Sequence, residues 1–168
     1  MIIVEVAALL LLTVAMAVSL AHALEFPGRR RLDRATYVAV QTAGYPGAAV
    51  SSLAEAAAVF AVLALLVSTP IGSPAFWWVS ASMAGLFGMN VSYWLMARPA
   101  NKVWLNPQAL NRATAAEREA GGPWGRAPAG FDFRRLRDRW EWSHVVRAGL
   151  ALLSLASLTA AVALGPTH

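Results

Sequence analysis

Cysteine is absent from the 168-residue chain, which excludes a disulfide framework, thiolate metal sites and thiol redox chemistry. Charge is scarce as well. Asp, Glu, Lys and Arg make up 14% of the residues against 58% hydrophobic, and the mean hydropathy is +0.51. A soluble domain is about a quarter charged. What charge there is falls almost entirely in two blocks, Glu25–Arg34 and Arg98–Arg147. The remainder consists of long runs with almost none. That distribution excludes a soluble enzyme, a disordered chain and a nucleic-acid-binding domain. A net charge of +5 and a pI near 10.7 would otherwise suit nucleic acid, but in an integral membrane protein they express one basic face. No internal repeat or low-complexity tract divides the sequence, so residues 1–168 read as a single membrane domain.

A bilayer core of about 30 Å needs about 20 mostly apolar residues per helix. Four stretches meet this: Ile3–Leu24, Pro46–Thr69, Pro74–Ala97 and Ser143–Leu164. The expected fold is all-α, a four-transmembrane-helix bundle with short interfacial helices on the cytoplasmic side. Ser68–Pro74 holds two prolines and a glycine in seven residues, a turn that makes spans two and three a tight hairpin. Trp77 and Trp78 follow it, as in an interfacial aromatic belt. The first span imitates a signal peptide through the small-x-small run Ala21-His22-Ala23, but it lacks a basic leader, so it reads as a retained helix.

With four spans, segments 25–45 and 98–142 share one side. All fourteen Lys and Arg lie in or next to them. The positive-inside rule makes that side cytoplasmic and puts both termini outside. Within these segments, Leu32–Ala43 reads as a short interfacial helix. Asn106-Pro107 reads as a helix start and Gly121-Gly122 as that helix's end, with Gly122–Gly130 as loop. Asp132 reads as the cap of a helix running through Phe133, Leu136 and Trp140 into the fourth span. The basic run Arg29–Arg31 reads as a topology signal drawn to anionic lipid.

Polar residues inside the spans carry the functional information, because the bilayer penalises them. His22 and Glu25 end the first span, and Gln41 and Tyr45 precede the second, which holds Ser51, Ser52 and Glu55. Asn90 and Tyr93 lie near the end of the third, and Glu141, His144 and Arg147 open the fourth. Threading places all of them at one depth, where a bundle builds ligand sites. His22/Glu25 and Glu141/His144 are i,i+3 pairs, and Trp140, His144 and Arg147 form one stripe. Arg147, a turn inside the bilayer, requires a carboxylate, with Glu25 or Glu55 as candidates. Plainer readings compete: both histidines as interfacial residues, Asn90 and Gln41 as hydrogen-bonded helix fasteners, Glu5 as a solvated charge, and His168 as an idle terminus. Two histidines and one carboxylate would suit a mononuclear metal, and His22 with His144 a bis-histidine haem. The set is one carboxylate short of a di-iron bundle, so chemistry without a cofactor is preferred.

The runs Ser19–Gly28, Tyr37-x-x-x-Gln41-x-x-x-Tyr45-Pro46-Gly47, Asn90 and Arg139-Trp140-Glu141-x-x-His144-x-x-Arg147 together resemble the motifs of the anthrone oxygenase-like (DUF1772) family of four-helix membrane proteins. The resemblance spans all four helices in order. It implies a site lined by His22, Gln41, Asn90, Trp140, His144 and Arg147 that oxidises a flat hydrophobic molecule with O2 and no cofactor. A histidine would act as base, Arg147 or Asn90 would stabilise the oxyanion, and Trp140 would stack on the rings. Gln41, Tyr45, Glu25, Glu55, Trp140 and Tyr93 are the expected substrate contacts. The expected partners are the lipid bilayer and a hydrophobic small molecule. A second reading makes the chain an accessory subunit of a larger membrane complex, docking other chains through the Trp-containing segment Asn101–Phe131 and the small residues Ala81, Ala84, Gly85 and Gly88. A transporter component ranks third, since nothing resembles inverted repeats.

Overall fold

The computed structural model describes residues 2–43, 46–104 and 132–165, together with 106, 108, 109, 111, 112 and 115. Its described residues hold no strand. The order is α1 (Ile2–Arg29), α2 (Arg34–Thr42), α3 (Pro46–Ser68), α4 (Pro74–Ser92), a π-helical turn (Tyr93–Ala97), α5 (Arg98–Trp104) and α6 (Phe133–Leu164). Three of these, α1, α3 over Ala49–Ser68, and α6, are long and apolar enough to cross a membrane. α4 is not among them. Its 19 residues include Ser80, Ser82, Asn90 and Ser92, two glycines and two tryptophans, which dilute its hydropathy.

The long helices extend past the apolar runs. α1 continues through Pro27 to Arg29, and α6 starts at Phe133, ten residues before the apolar stretch. Asp132 caps α6 by accepting from the Arg134 and Arg135 N–H groups at 2.9 and 3.2 Å, and Asp33 caps α2 by accepting from Thr36 N–H at 3.1 Å. Ser73 caps α4 by accepting from Phe76 N–H, with Pro74 at the first helical position. Gly72 makes the preceding turn at φ +85°, a conformation open to glycine at no steric cost. Asn106 accepts from the N–H groups of Gln108 and Ala109, a helix start as its sequence indicates. The Gly121-Gly122 stop and the Gly122–Gly130 loop lie outside the described residues.

Buried positions on α1 (Ala8, Leu12, Ala15, Ser19, His22, Arg29) and α6 (Trp140, His144, Arg147, Ala151, Ser154, Leu158, Ala161) recur every three or four residues, the seam of a packed bundle. The main core joins Leu12, Val62, Leu86, Met89 and Leu158. α4 packs most tightly of all, against α6. A Cβ on Gly85 would sit 2.9 Å from Ser154 Cβ and 3.0 Å from the Leu150 carbonyl oxygen, and one on Gly88 would sit 3.1 Å from Leu150 Cδ1. Ser154 Oγ donates to the Ser82 carbonyl at 2.8 Å and lies 3.0 Å from Ser82 Oγ. Gly85 and Gly88 therefore serve the chain's own α6, not an outside partner; Ala81 and Ala84 are exposed.

The π turn has a local cause. Pro99 has no N–H to give to the Leu95 carbonyl four residues back, and its ring crowds that oxygen. The helix widens by one residue, with Arg98 N–H reaching Tyr93 O, and the Arg139 guanidinium donates to the Leu95 carbonyl instead. A second, aromatic core of Tyr37, Ala100, Trp104, Phe133 and Trp140 fastens α2 and α5 to α6 at this end. Tyr37, Trp104 and Phe133 meet edge-to-face with centroids 5.7–5.9 Å apart.

Candidate functional site

One end of the bundle holds a cavity of about 570 Å³, walled by α1, α2, α3, the π turn, α5 and α6. His22, Gln41, Ser51, Ser52, Glu55, Asn90, Tyr93, Trp140, His144 and Arg147 all line it. The structure thus gathers most of the polar residues singled out in the sequence. Tyr45 lies outside the described residues, as do His168 and nearly all of the segment from 105 to 131.

The histidines meet. Their ring centroids are 4.5 Å apart, and Trp140 stacks edgewise on both, 4.3 Å from His144 and 5.4 Å from His22. Each comes from a different long helix, one buried stripe per helix, so the pairing follows from the α1–α6 seam. Trp140 is held in place by donating its indole N–H to Asn101 Oδ1 at 2.8 Å. Glu25 Oε2 stands 3.8 Å from His22 Nδ1 and 3.6 Å from Arg29 Nη1, but Glu25 itself is half exposed. Among the described residues, no group of three or more His, Asp or Glu is placed to share one metal ion.

Arg147 resolves its two candidate partners in favour of Glu55, at 2.6 Å from Nη2 to Oε2. Asn90 donates Nδ2–H to the other oxygen, Oε1, at 3.0 Å. α3, α4 and α6 are thereby tied together across the cavity. The Arg147 guanidinium carbon also lies 5.8 Å from the Tyr93 ring.

Two sequence assignments are corrected. Arg29 is no surface topology charge. It is 5% exposed, donates Nε–H to Glu141 Oε1 at 2.9 Å and Nη2–H to Gln41 Oε1 at 2.8 Å, and lies over the Tyr37 and Trp140 rings at 5.4 and 5.1 Å. Glu141, correspondingly, is no cavity carboxylate paired with His144. It is fully buried behind the histidines, where Tyr37 O–H also donates to Oε1 at 2.9 Å and Gln41 Nε2–H donates to the Tyr37 oxygen at 3.2 Å. Burial, then the Glu141 charge, pushes the Tyr37 hydroxyl above the ordinary tyrosine range, so it stays a neutral donor. This Arg29–Glu141–Tyr37–Gln41 network is the platform on which the histidines sit. Sequence analysis missed Arg29, Trp104 and Asn101. The signal for Arg29 was present, since it continues the His22 stripe seven residues on.

Three buried atoms of cavity-lining residues have no hydrogen-bond partner among the described residues: Arg147 Nε, Trp104 Nε1 and His144 Nδ1. Buried polar groups are nearly always satisfied. Two of the three are obligate donors, and they belong to Arg147 and Trp104, which line the same cavity as the histidine pair. The arrangement suits a ligand with an oxygen acceptor, with aromatic surface for a ring and imidazole for proton transfer. No protein family, curated protein or solved structure matches the chain, so its chemistry is read from this cavity.

Proposed function

We propose that the chain is a four-span membrane oxygenase that binds a flat, hydrophobic, oxygen-bearing ring, anthrone- or quinol-like, and deprotonates it for reaction with O2. One observation carries this reading: two imidazoles 4.5 Å apart line a 570 Å³ cavity together with Arg147 and Trp104, whose buried Nε–H and indole N–H have no hydrogen-bond partner among the described residues. For an anthrone, His144 takes a proton from the ring CH2, and Arg147 and Trp104 donate to the oxygen that gains negative charge. The carbanion adds O2 to give a peroxide anion, which recovers the proton from the imidazolium. Loss of the second hydrogen with the outer oxygen releases water and leaves a ketone. Both oxygen atoms are accounted for, and the substrate supplies every electron.

The fourth crossing belongs to the same proposal. α4 runs antiparallel along α6 from Ser82–Ser154 to the Tyr93–Arg147 contact, and α6 is one of the apolar helices. If 74–97 crosses, every Lys and Arg falls on one side, with both termini on the other.

Oxygen uptake by the purified protein in lipid nanodiscs with anthrone tests the chemistry. The expected rate exceeds uncatalysed autoxidation and falls by about 10²–10⁴-fold in His144→Ala, with helical content unchanged by circular dichroism. A wild-type rate equal to autoxidation overturns the reading.

A further inference from the structure

Between α3 and α4 a groove of about 660 Å³ opens on the outer surface of the bundle. Its walls are apolar, with Val59 and Phe60 on one side and Met83 and Phe87 on the other. Packing explains the gap. Gly85, Gly88 and the Ser82–Ser154 bonds draw α4 onto α6. Toward α3 the Asn90–Glu55 bond lies at the cavity end of α4, and along the rest of their length the two helices touch far less although only five residues join them. Ala56, small and exposed, leaves the α3 wall low.

Three residues line both this groove and the polar cavity: Ala56, Asn90 and Trp94. The two spaces are therefore neighbours across one threshold. Asn90 holds Glu55 from there, and the Arg98 guanidinium carbon lies 4.2 Å from the Trp94 ring centre, fixing that indole at the rim. Each volume is within the range of a ligand pocket, about 300–1,000 Å³. The groove faces the apolar flank of the bundle, while the cavity beyond is lined by the polar side chains Gln41, Glu55, His144 and Arg147.

We infer that the α3–α4 groove is a lateral binding site for a bilayer-dissolved amphiphile, an oxygen-bearing ring with an apolar tail. The ring passes Asn90 into the cavity and the tail stays between Phe60 and Phe87. This rests on the proposed reading for the ring's fate, but not for its binding. A ring that is only flat and apolar would fill the cavity and leave the groove to lipid. A tailed one fills both.

The test is photolabelling in nanodiscs with a benzoquinone that carries a diazirine at the far end of a decyl tail, mapped by mass spectrometry. Adducts are expected on the Val59–Phe60 and Met83–Phe87 segments, competed by unlabelled decyl-benzoquinone. Val91→Trp, at a position that lines the groove and not the cavity, should cut them by about tenfold, and equilibrium dialysis should show the tailless quinone still bound with unchanged affinity. Labelling spread evenly over exposed apolar positions such as Leu10 and Leu153, indifferent to competitor and to Val91→Trp, would overturn the inference. The outcomes separate from those of the reaction. Competed groove labelling without oxygen uptake keeps the site and removes the oxygenase; uptake with the tailless ring but no groove labelling does the reverse.

Discussion

At the scale of single residues, the site is organised by two buried arginines, each neutralised by a buried carboxylate from another helix. Arg147 with Glu55 closes the cavity from one side, and Arg29 with Glu141 supports the histidines from behind. A buried ion pair is costly to break one-sidedly, roughly 3–5 kcal/mol, because the surviving charge is left uncompensated. Arg147→Met should lower stability by about that amount, and Glu55→Gln by a comparable one. The double variant should lose clearly less than the sum, as thermal unfolding in a mild detergent would show. Additive losses would mean that the 2.6 Å contact carries no coupling. The sequence had left Arg147 with two candidates, Glu25 and Glu55, and the structure pairs it with Glu55, the carboxylate two turns into a span. It misplaced Arg29, because a run of three arginines after an apolar helix resembles a solvated charge block. Only the heptad stripe, extended past the apolar residues, separates the first arginine from the other two. Glu141 failed for the mirror reason: i,i+3 spacing puts it near His144 along the helix, yet its neighbours on α1 and α2 decide which way it is used.

At the scale of elements, the caps, turns and apolar runs were legible because they depend on local chemistry alone. Asn106 and Asp132 read as helix starts, short polar residues ahead of helical stretches, and both accept backbone N–H bonds; Asp33 and Ser73 do the same without having been singled out as caps. Helix ends were less legible. α1 and α6 continue into charged sequence because aromatic packing and buried ion pairs, not hydropathy, sustain them there. The π turn follows from Pro99 and was legible only in hindsight, since the same proline could have ended the helix. Asp33 gives the acid behaviour of α2. Its carboxyl is held below the ordinary value of about 4, first by the Thr36 hydroxyl and then by the Thr36 N–H. A depressed value means the cap's contribution is full above pH ~4 and is lost as the pH falls through the lower folded-state value. The protection factor of the Thr36 amide should fall over that acid range, and Asp33→Asn, which still accepts the bond, should make it independent of pH. Gly85 tests the α4–α6 contact. Alanine normally favours a helix interior over glycine by about 1 kcal/mol. Here the added methyl meets Ser154 Cβ at 2.9 Å and a backbone carbonyl at 3.0 Å, neither of which swings away. Gly85→Ala should therefore destabilise, by about 1–3 kcal/mol, in the same unfolding assay. A neutral or stabilising result would show that α4 can lift off α6.

At the scale of the whole molecule, the element that decides the topology is α4, which packs against helices long and apolar enough to cross a membrane yet is itself too polar to count among them. The count of crossings decides which end of the bundle faces the cytoplasm for every segment after it. If 74–97 crosses, Ile71 and Lys102 lie on opposite faces of the membrane, and Arg31 shares a face with Lys102. If it does not, Ile71 and Lys102 share a face, and Arg31 stands opposite both. The absence of cysteine makes the native chain its own background for the experiment. Single cysteines at Arg31, Ile71 and Lys102, all exposed positions, should react with a membrane-impermeant maleimide from one side or the other of sealed vesicles. The expected pattern is Arg31 and Lys102 labelled together from the cytoplasmic face and Ile71 from the opposite one. The energetic reason is the cavity. Arg147, Glu55 and Asn90 lie where α3, the end of α4 and α6 converge, and withdrawing α4 would leave the ion pair facing hydrocarbon, where a charged group costs several kcal/mol. Two of the polar residues that make α4 a poor span taken alone, Ser82 and Asn90, bond its neighbours α6 and α3, so under the four-span reading their insertion cost is shared by the bundle. Ile71 and Lys102 labelled from the same face would mean that the cavity is not closed by α4 in the membrane, and the four-span oxygenase would fall with it.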